Sequence, residues 1–130
     1  MTLIPNYNAG LEETSLVIAS GQSLSAGSAD VTGYTPVGLW TPSAWTAAAI
    51  TFLASRDDGA NFADVFDATL GEVTIPSALI PTGAARRFAL DPRQFLGVRR
   101  LQIRSGTTGS GNVVPQAADR TLYLILRPLS

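Results

Sequence analysis

The chain has 130 residues, ten acids and nine bases, all nine of them Arg, with no His and no Cys. That length fits one domain with a core of its own. The missing residue types remove disulfides, thiolate metal sites and any Ser-His-Asp or Cys-His catalytic arrangement. A net charge of -1 argues against a nucleic-acid partner, which needs a dominant basic surface.

Residues 1–14 read as an extended N-terminal arm. Pro5, Asn6, Asn8 and Gly10 break any helix, while Leu3, Ile4 and Tyr7 supply apolar anchors. The first residues have neither the basic start nor the apolar run of a secretory signal. No apolar stretch approaches the ~20 residues of a membrane span, so no membrane partner is expected.

Residues 15–130 read as the folded domain, punctuated by 12 glycines and 8 prolines. Strands are expected at 16–19, 29–33 and 36–40, the last closed by Thr41-Pro42. The clearest is 48–56, with Ile50, Phe52 and Ala54 on one face. Asp57-Asp58-Gly59-Ala60-Asn61 is a turn, with Gly59 suited to positive φ. Residues 62–67 return as its partner strand, and 72–75 form a short strand ended by Pro76.

After a loop at 76–83, a strand is expected at 86–90. Asp91 followed by Pro92 predicts one helical turn to Phe95, an acid at the N-cap and Pro at N1. Residues 98–105 form a strand with Leu101 and Ile103 inward and Arg100, Gln102 and Arg104 outward. A polar loop at 106–120 leads to a closing strand at 121–127, with Leu122, Leu124 and Leu126 on one face. The sum is an all-β chain, an antiparallel β-sandwich or jelly roll. Its expected core is Leu16, Ile18, Ile50, Phe52, Phe66, Leu101, Ile103, Leu122, Leu124 and Leu126.

Asp57, Asp58, Asp64, Asp67 and Glu72 fall within sixteen residues. A cation site needs six to eight oxygens around one point, and an Asp/Gly hairpin turn explains the cluster more simply. No metal or cofactor is expected. Asp64 and Asp67 would lie on opposite faces of a regular strand, which speaks against a catalytic pair; the chain reads as a non-enzyme. Arg86, Arg87, Arg93, Arg99, Arg100 and Arg104 fall within nineteen residues. They could read phosphate, form a solvated face, or meet the acidic hairpin of a neighbouring copy head to tail. Arg86, Arg87, Arg99, Arg100 and Arg104 join Leu3, Ile4 and Tyr7 as the candidate interface. The glycine-rich loop at 106–112 has no Lys and precedes no helix, so it fails as a phosphate loop. Trp40 and Trp45 could stack on sugars or anchor a core or interface.

The run 45–67, with Ser55-Arg56-Asp57-Asp58-Gly59-Ala60-Asn61-Phe62 at its turn, resembles the strand–turn–strand of small virion proteins of tailed bacteriophages. Phe88-Ala89-Leu90-Asp91-Pro92 and Gln116-Ala117-Ala118-Asp119-Arg120-Thr121-Leu122 are similar to the same group. The resemblance spans roughly residues 15–128. It implies a virion protein on the capsid surface, made in the host cytoplasm, with decoration (cement) of the head as the expected role. The implied partners are the major capsid protein and further copies of the chain, with a trimer expected because capsids offer threefold sites. A head-fibre or tail component is the alternative within the virion. A carbohydrate-binding β-sandwich is the alternative outside it, since the Asp-Gly hairpin also recurs in sugar-binding jelly rolls.

Overall fold

The computed structural model describes residues 10–129. Its eight strands are β1 (Glu12–Ile18), β2 (Ala29–Asp30), β3 (Tyr34–Trp40), β4 (Ile50–Ser55), β5 (Ala63–Asp64), β6 (Arg87–Ala89), β7 (Arg100–Ser105) and β8 (Arg120–Pro128). They form two four-stranded sheets, ordered β1-β8-β3-β6 and β2-β7-β4-β5. Every named pairing is antiparallel. First pairs with last, second with seventh, third with sixth and fourth with fifth. One long antiparallel ribbon is thus rolled into two sheets, which is the jelly-roll topology expected from the sequence.

The inward-facing sets interdigitate as a two-layer core. Ile18, Ile50, Phe52, Leu101, Ile103, Leu122 and Leu124 have no exposed surface, and Leu16 and Leu126 are buried beside them. The helical turn at Pro92–Phe95 is present as a 3₁₀ turn capped by Asp91, which accepts from the Arg93 amide. It presses Phe95 edge-on against Phe52, centroids 5.2 Å apart. A second 3₁₀ turn, Ser77–Leu79, lies inside the segment expected to be plain loop.

Three expectations need correction, and the open alternative at Trp45 is decided for the core. The arm ends earlier than residue 14, because Glu12, Glu13 and Thr14 already pair with β8. Leu3, Ile4 and Tyr7 lie outside the described residues. Phe66 is 50% exposed, and Val65 takes the inward position. Regular pairing of β5 stops after two residues, and a one-residue slip exchanges the faces of a strand. Trp45 is only 2% exposed and donates its indole N–H to the Ala48 carbonyl, so it offers no stacking surface. Arg104, expected outward, is 8% exposed, because the chain's own loops cover that side of β7.

Candidate interface on the open sheet face

The acidic cluster and the Arg cluster meet inside one chain. Arg104 donates Nη1 to Asp64 at 2.7 Å, Nη2 to Glu72 and Nε to the Thr51 hydroxyl. Thr108 closes the network, donating its hydroxyl to Asp64 and its amide to Glu72. The Thr108 hydroxyl, then the Arg104 guanidinium, hold the Asp64 carboxyl below the usual carboxylate range of 3.8. Arg100 reaches Asp58 at 3.2 Å and Asp30 at 3.9 Å. The head-to-tail match of Arg stripe and acidic hairpin is therefore largely consumed within the fold.

The 55–61 hairpin also uses its acids locally. Asp57 accepts from the Ser55 hydroxyl, the Asn61 amide and the Asn61 side chain. Those bonds, Asn61's side chain foremost, hold its carboxyl far below 3.8. Asp58 and Gly59 both take positive φ, 64° and 93°, within the loop between Ala54 and its partner Ala63. Among the described residues, no group of three or more His, Cys, Asp or Glu stands in metal-holding arrangement.

The remaining Arg candidates are spread over both sheets. Arg86 is exposed and donates to the Leu79 carbonyl. Arg99 is exposed ahead of β7. Arg87 lies on the other sheet, in register with Trp40. No continuous Arg patch results.

A different surface stands out. On the outward side of β1-β8-β3-β6, Trp40 is 41% exposed and Tyr123 is 42% exposed, in register on adjacent strands. Ile125 follows two residues along β8, opposite Glu13 on the edge strand. Arg87 lies over Gly38, where a Cβ would come within 2.6 Å of its guanidinium. Glycine there lets the long side chain fold down onto the sheet.

Trp40 separates two shallow grooves. One, about 320 Å³, runs between Leu11, Glu13, Ile125 and Arg87. The other, about 430 Å³, runs along Pro42, Ala85 and Tyr123, with Glu13 again on its wall. The arrangement is an aromatic and aliphatic strip with a carboxylate at one edge and a guanidinium at the other. Trp40 was singled out from the sequence; Tyr123, Ile125 and Glu13 were not. The alternation that placed Leu122, Leu124 and Leu126 inward already implied that Tyr123 and Ile125 point out.

Fold and surface together define a jelly-roll β-sandwich with one unpartnered sheet face. No family model matches the chain, and no curated protein matches it. Among solved structures it is similar to the SPBc2 prophage-derived protein YomS, at 15% sequence identity and a TM-score of 0.46, covering 89% of this chain and 93% of that one. No helix among the described residues is long and apolar enough to cross a membrane.

Proposed function

We propose that this chain is a non-enzymatic structural protein of a phage virion, a decoration protein that binds the outside of the head and bridges copies of the major capsid protein. The observation that carries the reading is the open face around Trp40 and Tyr123. Aromatic side chains left in water on a flat sheet contribute little to the fold and much to an interface. Glu13 and Arg87 at its edges add orientation, and attachment should weaken as salt rises. Jelly rolls recur in viral capsid and lectin domains, an analogy of fold in keeping with this role. Leu3, Ile4 and Tyr7 precede β1 in the sequence and are a second attachment point in this reading.

The test is co-sedimentation with purified shells. Wild type should pellet with them, and Trp40→Ala with Tyr123→Ala should cut binding at least tenfold. Arg99→Ala should bind as wild type. Failure of the intact protein to bind any shell would remove the decoration role.

One observation favours a second reading. An exposed indole flanked by a carboxylate and a guanidinium also suits a sugar ring, whose C–H face stacks while its hydroxyls bond to Glu13 and Arg87. Glycan-array binding abolished by Trp40→Ala would select this reading.

A further inference from the structure

The hairpin joining Phe66 to Glu72 carries a feature that the fold does not explain. Asp67 donates its amide to the Gly71 carbonyl at 2.8 Å, and the Leu70 amide returns to the Asp67 carbonyl at 3.0 Å. Three residues, Ala68, Thr69 and Leu70, thus form the loop, a geometry that needs a left-handed residue at its third position. Glycine is normal there. Here the position holds Leu70, at φ 67°, and glycine follows one residue later as Gly71.

Leu70 is also 85% exposed. A large apolar side chain in this backbone region is a genuine outlier, and it packs against almost nothing. The loop beneath it is firmly held: Asp67 Oδ1 accepts from the Thr69 amide, the Thr69 hydroxyl and the Gly71 amide. The result is a rigid stalk presenting one aliphatic knob, with half-exposed Phe66 at its foot. Backbone strain retained together with apolar exposure points from the outlier toward a function.

The same molecule carries a groove of matching character elsewhere. About 330 Å³ in volume, it is lined by Ala54, Phe62, Ala63, Leu96 and Val98, with Arg56 and Asp57 also on its wall. Leu96 is 59% exposed there. Arg56 has no ion-pair partner among the described residues. Beneath the knob, Asp67 Oδ2 accepts no hydrogen bond from the described residues. An aliphatic knob above a carboxylate thus matches an apolar groove that carries the guanidinium of Arg56, while the groove's own carboxylate, Asp57, is already bonded to Ser55 and Asn61.

We infer that copies of this chain join head to tail, Leu70 of one seating in the Phe62–Leu96 groove of the next, with Asp67 facing Arg56. Knob and groove are different places on the surface, so the contact is heterologous and propagates until a ring closes or a filament forms. The shell-binding face around Trp40 is not used, and the contact does not depend on a capsid.

The test is the mass in solution by sedimentation velocity over a wide concentration range. Wild type should self-associate. Leu70→Asp and Leu96→Asp should each weaken association at least tenfold. Leu70→Gly should do the same while unfolding at the same temperature as wild type or higher, because glycine accepts the left-handed backbone. Mixing is the diagnostic step: Leu70→Asp keeps its groove and Leu96→Asp keeps its knob. Together they should form a one-to-one dimer and nothing larger. A wild type that stays monomeric at every concentration overturns the inference. So does a Leu70→Gly protein that associates as wild type, or a mixture of the two folded Asp variants that remains monomeric.

Discussion

On β2-β7-β4-β5, the side of the sheet at Thr51 and Arg104 is sealed by the chain's own loops, with Thr51 fully buried. On β1-β8-β3-β6, the side at Trp40 and Tyr123 meets solvent, large aromatics included. The covered face holds charge, and the open face holds apolar surface, the reverse of what burial alone would select. Covering the Arg104 face requires complete pairing, because a buried charge without a partner is costly. All the partners come from within the chain, and among the described residues no buried side-chain nitrogen or oxygen lacks one. The open face has aromatic area and no internal cover. One face is finished by folding; the other stays in contact with solvent.

The largest way to break this contrast is at Arg104. Arg104→Met leaves Asp64 and Glu72 without their shared cation, and truncating one member of a buried pair costs about 3–5 kcal/mol. Asp64 is partly exposed, which favours the lower figure. Urea unfolding should show the loss. Removing the charges together, as Arg104→Met, Asp64→Asn and Glu72→Gln, should recover a large part of it, because the cost lies in the orphaned charges.

Next is Gln116, 1% exposed in the long loop. Its side chain accepts from the Thr46 amide and from Arg120, and donates to the Thr46 carbonyl and the Ser105 hydroxyl. It therefore ties the 106–120 loop to the segment after β3. Gln116→Ala should cost about 2 kcal/mol, the price of buried groups left unpaired, read as a lower midpoint at unchanged slope.

Acid should act on the same side of the contrast. The folded-state pKa values of Asp57, Asp64 and Asp67 lie below the ordinary 3.8, each through hydrogen bonds to the carboxylate. A depressed folded value means that the unfolded chain binds more protons at low pH. The stabilisation is complete above 3.8 and is lost as pH falls through the lower folded values. With no His in the chain, the melting temperature should be nearly flat between about pH 5 and 8 and fall below pH 4. Asp64→Asn should make that acid slope shallower.

How much of this was legible beforehand depends on the range of the interaction. Alternation in β4, β7 and β8 gave the sandwich and, with Leu16 and Ile18 of β1, nine of the twenty buried hydrophobic residues, because period-two patterning is local; Val31, Leu39, Val73 and Ile80 sit in short or irregular segments that carry no such pattern. The Asp91-Pro92 turn was legible for the same reason. Phe66 was misplaced because β5 breaks after Asp64, and nothing in 62–67 marks the slip. Arg104 looked like a solvent-facing residue because its partners are 32 and 40 residues away. Leu70 gave no signal either, since the glycine that would mark the left-handed position stands one place later. The open face is half legible: Trp40 stands out in the sequence beside Thr41-Pro42, but only the roll brings β1 and β3 to either side of β8 and sets Glu13 and Arg87 at its borders.

The smallest expected effect lies on that open face, and it sharpens the contrast most. Trp40 and Tyr123 are cross-strand neighbours, and such pairs contribute roughly 0.2–1 kcal/mol each. Tyr123→Thr keeps the strand preference while removing the ring, so the domain should lose less than about 1 kcal/mol. Trp40→Thr should cost somewhat more, since over half of the indole is covered. A double-mutant cycle should return a coupling of about 0.2–1 kcal/mol, the range of a cross-strand pair. Those values are small beside the loss expected at Arg104, although the rings are among the largest side chains in the molecule. A measured loss at Tyr123 equal to that at Arg104 would mean that the domain itself depends on the open face. A small loss, paired with the tenfold drop in shell binding expected for the Trp40 and Tyr123 double variant, would assign those rings to attachment.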